Sequence, residues 1–133
     1  MFVTGQPAID WLKQRENLSL DLGSAEGIAR VVNDQIVASV VFHWFNGTNI
    51  WMHVASDGTK RWINREYIKV TFDYVFNTCQ CKRVSGMVDA SNHPARTFDE
   101  KLGFEKEAIL KGAARDGGDV IIYVMTREMC RWV

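Results

Sequence analysis

Apolar and β-branched residues dominate three runs in the first half of the chain, at residues 28–32, 36–44 and 50–55. Asn33 and Asp34 separate the first two runs, and residues 45–49, which include an Asn-Gly pair, separate the last two. Asparagine, aspartate and glycine tolerate the left-handed conformations that tight hairpins require. The pattern predicts an antiparallel β-meander.

A helical period marks the regions before and after this meander. Residues 7–16 place Ile9, Trp11 and Leu12 among charged side chains, which predicts a short amphipathic helix with proline in its first turn. Residues 63–79 carry apolar side chains on two neighbouring faces, which predicts a long helix wedged between the sheet and another element. The segment 17–25 has no clean period and is interpreted as a loop or a weak second helix.

The last third of the chain alternates between the two kinds of element. Gly103 is predicted to end a helix, because glycine accepts positive φ, and Asn92 or Ser91 is predicted to cap its start. The predicted elements are a strand at 83–89, a helix at 93–102, and a hairpin of strands at 104–115 and 119–127. A mixed sheet flanked by helices satisfies this order, so the sequence predicts one α+β domain over residues 1–133.

Charge and cysteine content exclude several classes of protein. The 133 residues contain 16 basic and 16 acidic side chains, so no overall positive field attracts nucleic acid or an anionic membrane. The longest apolar run, 36–44, is too short to span a bilayer. Three cysteines without a signal peptide indicate free thiols in the cytoplasm, and Cys79 and Cys81 lack the second ligand pair of a zinc site, so no metal is expected.

One segment has a specific resemblance. Asn92-His-Pro-Ala95 followed by Glu100-Lys-Leu-Gly-Phe104 resembles the motif of GNAT N-acetyltransferases, in which an asparagine and a small residue precede E-K-L-G-F. The resemblance implies the GNAT fold, with a mostly antiparallel mixed sheet of about six to seven strands and about four helices. It also implies transfer of an acetyl group from the co-substrate acetyl-CoA to a primary amine, on a small molecule or a protein.

The resemblance further implies where acetyl-CoA binds. In this family the fourth and fifth strands part, and exposed backbone groups pair with the pantetheine arm. Here those strands are residues 50–55 and 83–89. The pyrophosphate loop corresponds to residues 59–64, although tryptophan and asparagine stand where the family has glycine or alanine. The cofactor-binding residues implied in this way are Val54, Ala55, Lys60, Arg61, Trp62, Ile63, Asn64 and Asn92.

Candidate catalytic residues are less sharply defined. The family often has a tyrosine acid just before E-K-L-G-F, and that position here is Asp99, an acid near neutrality only if burial raises its pKa. Tyr123 and Cys130 are other candidate proton donors. His53 and His43 lie on adjacent predicted strands and have pKa values in the range that a general base needs, although strand histidines are more often structural.

These observations predict an N-acetyltransferase of unidentified acceptor and allow a homodimer. Four carboxylates in the first part of the chain are candidates for attracting a cationic amine, namely Asp10, Glu16, Asp21 and Glu26. The replacements at Trp62, Asn64 and Asp99 leave a second hypothesis open, a GNAT-fold binding or assembly module that no longer catalyses. Several tryptophans exposed in one patch would favour that second hypothesis.

Overall fold

Seven strands form one open sheet in the computed structural model, which describes residues 1–16, 24–61 and 63–133. In chain order the elements are β1 (Phe2–Thr4), α1 (Gln6–Glu16), β2 (Glu26–Val32), β3 (Gln35–His43), β4 (Asn49–Ser56), α2 (Arg65–Asp73), β5 (Arg83–Asp89), α3 (His93–Leu102), β6 (Glu105–Leu110) and β7 (Val120–Thr126). The strand order across the sheet is β1-β2-β3-β4-β5-β7-β6. Within the described residues every neighbouring pair is antiparallel except β4 and β5, which are parallel.

The architecture confirms the predicted α+β class and the mixed, mostly antiparallel sheet. The predicted strand at 83–89 and helix at 93–102 have the bounds that the structure shows. Strand β1 was not predicted, because three residues are too few for a periodic signal. The described residues form three α-helices where about four were expected, and most of the segment interpreted as a loop or weak helix, residues 17–23, lies outside them.

Local turn chemistry sets the bounds of the meander. Asn33 and Asp34 have φ angles of 51° and 62°, the paired left-handed conformations of a tight hairpin between β2 and β3. Strand β3 ends at His43, one residue before its predicted end, because Trp44 has a φ of 53° and leaves the extended conformation. The side chain of Asn46 then accepts hydrogen bonds from the backbone N–H groups of Thr48 and Asn49 at 3.0 and 2.8 Å, which fixes the turn into β4.

Helix α1 covers one face of the sheet, over β2, β3 and β4. A Cβ built on Gly27 of β2 would lie 2.9 Å from the Cβ of Ala8, so glycine allows the helix to approach this strand closely. The buried hydroxyl of Ser39 on β3 donates to the carbonyl of Ala8 at 2.7 Å. Ile9 and Leu12 complete the contact with Val41 and Ala55.

The opposite face carries the main core, under α2 and α3. Phe72 of α2 and Leu102 of α3 share this core with Met52 of β4 and Tyr123 of β7. The predicted helix at 63–79 is α-helical only as far as Asp73 and then widens into a π-helical segment, Tyr74–Thr78.

The bounds of α3 follow from its caps. The side-chain oxygen of Asn92 accepts a hydrogen bond from the N–H of Ala95, as the sequence predicts for an N-cap, and Gly103 ends the helix with a φ of 117°. The predicted strand at 104–115 is shorter in the structure because the chain turns after Leu110, through glycines with positive φ at 112 and 117.

The close approach at Gly27 generates a stability prediction. We expect Gly27→Ala to lower the free energy of unfolding by about 1–3 kcal/mol, since α1 must move to admit the new methyl group. Gly86→Ala is the matched control, because its Cβ meets only the carbonyl oxygen of Met52 at an ordinary 3.7 Å. Urea denaturation of both variants measures the difference, and equal losses would contradict the packing argument.

Candidate active site

Strands β4 and β5 separate near the middle of the sheet. They pair in parallel at Asn49 with Arg83, at Ile50 with Val84 and at Trp51 with Ser85, and the ladder ends there. Residues 52–56 of β4 and 86–89 of β5 continue without pairing to each other. Unpaired strand edges present N–H and C=O groups to an extended ligand. The pairing therefore ends between the two strands at which the sequence predicted an opening.

An apolar cavity of about 20 Å³ lies beside this opening, on the face of the sheet covered by α2 and α3. The two polar side chains in its wall are already engaged, because the Tyr67 hydroxyl donates to the carbonyl of Ile28 and the Thr71 hydroxyl donates to the carbonyl of Tyr67. The lining residues are Val40, Met52, Val54, Tyr67, Ile68, Thr71, Phe72, Phe98 and Leu102. The cavity has room for about one water molecule, and its wall offers apolar contact but no free polar side chain to a ligand in the opening.

The predicted cofactor residues of β4 lie on opposite faces of the sheet. Val54 lines the apolar cavity, whereas the side chain of Ala55 is buried under α1 with Ile9 and Leu12. Only the backbone of Ala55 is therefore left to contact a ligand in the opening.

The loop before α2, which includes the predicted pyrophosphate loop, contains the carboxylate of Asp57. Asp57 accepts hydrogen bonds from the N–H and the hydroxyl of Thr59, at 3.0 and 2.6 Å, and forms an ion pair with Arg61 at 2.8 Å. The hydrogen bond from the Thr59 hydroxyl, followed by that from Arg61, lowers the pKa of Asp57 to about 2. Arg61, predicted to bind phosphate, is thus engaged by Asp57, while Lys60 is exposed and has no ion pair among the described residues.

Helices α2 and α3 both begin just beyond the carboxyl ends of strands, α2 after β4 and α3 after β5. The side chain of Asn64 accepts a hydrogen bond from the N–H of Tyr67 at 3.0 Å, so this predicted ligand residue is the N-cap of α2. Asn92 caps α3, and its exposed amide nitrogen donates to no described residue. Because β4 and β5 are parallel, both helix starts lie at the same edge, where their N–H groups favour an anion. Ile63 is half exposed beside them, and Trp62 lies outside the described residues.

Two histidines meet on the face that carries α1. The Nε2 atoms of His43 and His53 are 2.7 Å apart, and the two rings are stacked at 4.7 Å between centroids. Burial, followed by the neighbouring His53, lowers the pKa of His43 to about 4, and burial lowers the pKa of His53. Both imidazoles are therefore neutral near pH 7, the state that a proton acceptor requires. The Nδ1 atom of His43 is buried and has no hydrogen-bond partner among the described residues.

A polar cluster that the sequence did not predict holds β4, β5 and β6 together on the same face. Arg83 donates to both carboxyl oxygens of Glu107, at 2.9 and 2.6 Å, and its Nε donates to the side chain of Asn49 at 3.1 Å. Ser85 donates to the same oxygen of Asn49 at 2.6 Å. Asn49 and Arg83 form the first pair of the β4–β5 ladder, so the cluster clamps the end at which the strands pair. Its members come from three separate parts of the chain, and no local motif connects all four.

The remaining catalytic candidates lie on the other face, with α3. Burial, followed by the neighbouring Glu100, raises the pKa of Asp99 from 3.8 to about 7, which meets the condition under which Asp99 can act as an acid. The buried Tyr123 donates its hydroxyl to Glu100 at 2.6 Å, and burial raises its pKa. The structure thus does not bring His53 and Tyr123 together, and it gives Tyr123 a role in linking β7 to α3. Cys130, like the other two cysteines, is a free thiol.

Searches against known proteins give matches at the level of structure. No protein-family model and no curated protein matches the sequence. Mutant forms of the spermidine/spermine N-acetyltransferase SpeG from Vibrio cholerae superpose with a TM-score of 0.80 at 12% identity, covering 96% of this chain and 95% of that one.

Two further solved structures superpose less closely. A GNAT-family acetyltransferase from Bacillus anthracis has a TM-score of 0.64 at 20% identity, over 78% of this chain and 66% of that one. The Campylobacter jejuni N-acetyltransferase PseH, in complex with acetyl coenzyme A, has a TM-score of 0.62 at 13% identity, over 90% and 77% of the two chains.

The chain has the GNAT fold. The structure therefore confirms the predicted fold and the position of the parting strands. In the described part of the chain, no helix has the length and apolar character needed to cross a bilayer. Likewise, no group of three or more metal-ligating side chains occurs there.

The raised pKa of Asp99 predicts a pH-dependent stability. The protonated carboxyl is favoured in the folded state, so its contribution is complete below about pH 4 and is lost as the pH rises through about 7. Asp99→Asn should therefore increase the free energy of unfolding by an amount that grows between these limits, to on the order of 4 kcal/mol at most. Urea denaturation at pH 5 and pH 8 measures this trend. Asp10→Asn, at an exposed position of α1, is the control, and a gain for Asp99→Asn that does not change with pH would refute the assignment.

Proposed function

We propose that the protein is an N-acyltransferase that moves an acetyl group from acetyl-CoA to a primary amine. The observation that carries the proposal is the interrupted parallel pairing of β4 and β5, with two helix N-termini at the edge where the strands part. An extended, amide-bearing arm with a diphosphate at its end matches both features, because it needs strand-like hydrogen bonds and then an anion site.

The residues at the opening fit this co-substrate on three counts. Gly86 presents no side chain next to the carbonyl oxygen of Met52, so the base of the opening stays clear. The apolar wall that contains Val54 suits methylene groups, and Lys60 with the start of α2 suits phosphate. The carboxylate of Asp57 disfavours phosphate binding here, because it already forms an ion pair with Arg61. Acetyl-CoA would supply the activated acetyl group as a thioester.

His53 is the proton acceptor in this proposal. It lies two residues beyond the last β4–β5 pair, on the face opposite the apolar cavity, and its contact with His43 stacks the two rings. A neutral imidazole at this position takes a proton from the attacking amine. Asp99, whose pKa burial brings to about 7, is the group best suited to hold a proton for the leaving thiolate. Tyr123 is the weaker candidate, because its hydroxyl already donates to Glu100.

A binding or assembly module without catalysis is the second candidate function. The ion pair between Asp57 and Arg61 favours this second function, because the guanidinium that would bind the diphosphate is already paired with a carboxylate. The tryptophans do not support it: of the four that the structure describes, only Trp44 is exposed, so they form no common patch.

Titration with acetyl-CoA separates the two candidates. We expect saturable calorimetric binding and a higher melting temperature in the presence of millimolar acetyl-CoA. Gly86→Leu should weaken binding at least tenfold by filling the opening, whereas Gly86→Ala should bind nearly as the wild type does. Lys60→Ala should weaken binding by a factor of about two to five, the usual contribution of one exposed charge. The absence of both heat and a thermal shift would refute the acyltransferase proposal and favour the module.

The role of His53 predicts a pH-dependent loss of turnover. For a primary amine found to be acetylated in a screen, His53→Gln should lower kcat at pH 7 by about a hundredfold, with KM for acetyl-CoA unchanged. The loss should shrink at high pH, where more of the amine is already neutral. His93→Gln, at the exposed start of α3, is the matched histidine control. If the pH dependence of kcat in His53→Gln keeps the shape of the wild-type curve, His53 is not the proton acceptor and its role is structural.

A further inference from the structure

A second, larger pocket lies at the opposite end of β4 from the two helix starts. Its volume is about 340 Å³, and it is formed by the start of β2, the turn between β3 and β4, and the end of the α2 π-helical segment. The lining residues are Ser24, Glu26, Phe42, His43, Trp44, Phe45, Ile50, Tyr74 and Cys79. The proposed acetyl-CoA site does not include this pocket.

The walls of the pocket combine aromatic rings with one carboxylate. Phe42, Trp44, Phe45 and Tyr74 supply four rings, and those of Phe42 and Tyr74 lie 4.9 Å apart. Glu26 is exposed and forms no ion pair with any described residue, so its charge is not compensated. Aromatic faces attract cations through their quadrupole, and a nearby carboxylate adds direct charge attraction. Such a lining selects a cation of partly apolar character.

Backbone strain at Trp44 points to the same surface. Its φ of 53° lies in the left-handed region, which is unfavourable for a bulky residue, and its side chain is 52% exposed. Burial therefore does not explain why tryptophan occupies this position. Strained residues of this kind concentrate where a side chain is held for a ligand. Here the strained residue places an indole in the wall of the pocket, in edge contact with the ring of His43 at 4.3 Å.

The pocket also borders the histidine pair. His43 is part of its wall, and the Nε2 atom of His43 lies 2.7 Å from that of His53. A molecule that fills the pocket is thus separated by one imidazole from the proposed proton acceptor. The lowered pKa of His43 keeps this wall uncharged near neutrality, so it does not repel a cation.

We propose that this pocket binds an alkylammonium cation, held by the aromatic rings and Glu26. In the acyltransferase function, on which this part of the inference rests, the cation belongs to the amine acceptor and positions it beside His53. Glu26 was one of four candidate carboxylates for such a role. Asp10 instead accepts a hydrogen bond from Gln6 on the exposed side of α1, Glu16 ends that helix, and Asp21 lies outside the described residues.

Choline and its neutral isostere 3,3-dimethylbutan-1-ol test the charge requirement without any acetyl transfer. They differ only in the quaternary nitrogen, so calorimetry or tryptophan fluorescence in the absence of acetyl-CoA reports the pocket alone. We expect choline to bind at least tenfold more tightly than the alcohol, and Glu26→Gln to remove most of that preference. Glu105→Gln, at an exposed carboxylate of β6, should keep it. Equal affinity for the two ligands, or an unchanged preference in Glu26→Gln, would overturn the proposal.

Trp44→Gly separates a ligand-binding role from a structural one. Glycine adopts positive φ without strain, so we expect this variant to keep or raise the wild-type melting temperature while its affinity for choline falls at least tenfold. A lower melting temperature together with unchanged choline binding would show that the indole serves the fold, and would overturn this part of the inference.

The outcomes distinguish the pocket from the proposed reaction. Choline has no primary amine and cannot be N-acetylated, so its binding does not depend on catalysis. If choline binds as expected but no amine is ever acetylated, the pocket stands and the acyltransferase function fails. If amines are acetylated but choline neither binds nor inhibits transfer competitively, the function stands and the pocket proposal fails.

Discussion

The length of the parallel ladder between β4 and β5 is the constraint on which the rest of the site depends. Three residue pairs are enough to keep the seven strands in one sheet, while the following residues of both strands lack a partner across the gap. The cluster of Arg83, Glu107, Asn49 and Ser85 clamps the paired end from one face. On the other face, residues of α2 and α3 cover the opening with apolar side chains. A longer ladder would satisfy more backbone groups and leave no edge for a ligand.

The charge distribution around this opening is polarised although the chain as a whole is neutral. The edge at which β4 and β5 end carries the N-termini of α2 and α3 together with Lys60, and it favours an anion. The opposite end of β4 borders the pocket with Glu26 and four aromatic rings, and it favours a cation. In the proposed reaction, the anionic co-substrate and the cationic acceptor would thus approach the histidine pair from different ends of β4. Asp57 weakens the attraction for an anion at the first of these ends, because its ion pair with Arg61 must break before Arg61 can bind a phosphate.

Burial places the titratable groups of the site in the protonation states that the proposed chemistry requires. Desolvation keeps His43 and His53 neutral near pH 7 and leaves Asp99 partly protonated there. The two effects arise on opposite faces of the sheet, because the histidines lie on the face that carries α1 and the aspartate lies on α3. The same burial costs stability for Asp99, whose carboxyl must ionise in a poorly solvated place as the pH rises. Perturbed pKa values of this kind cluster at functional sites.

The sequence by itself determined the features that depend on a few neighbouring residues. The tight turn at Asn33 and Asp34, the caps of α3 at Asn92 and Gly103, and the order of helices and strands could all be predicted, because turn and cap energetics are local. The GNAT-like segment around residue 92 correctly indicated the fold and the two parting strands. Local patterns did not predict β1, and they predicted that the strand ending at Leu110 continues to residue 115.

Only the tertiary structure decided which distant side chains meet and how deeply they are buried. The contact between His43 and His53, the clamp from Arg83 to Glu107 and the pocket around Trp44 all depend on strand register, which joins residues that no sequence spacing relates. The pKa of Asp99 is set by burial, and burial is a property of the packed helix and sheet rather than of the residue. Register and burial are long-range, so a local motif can locate the site along the chain but cannot specify its electrostatics.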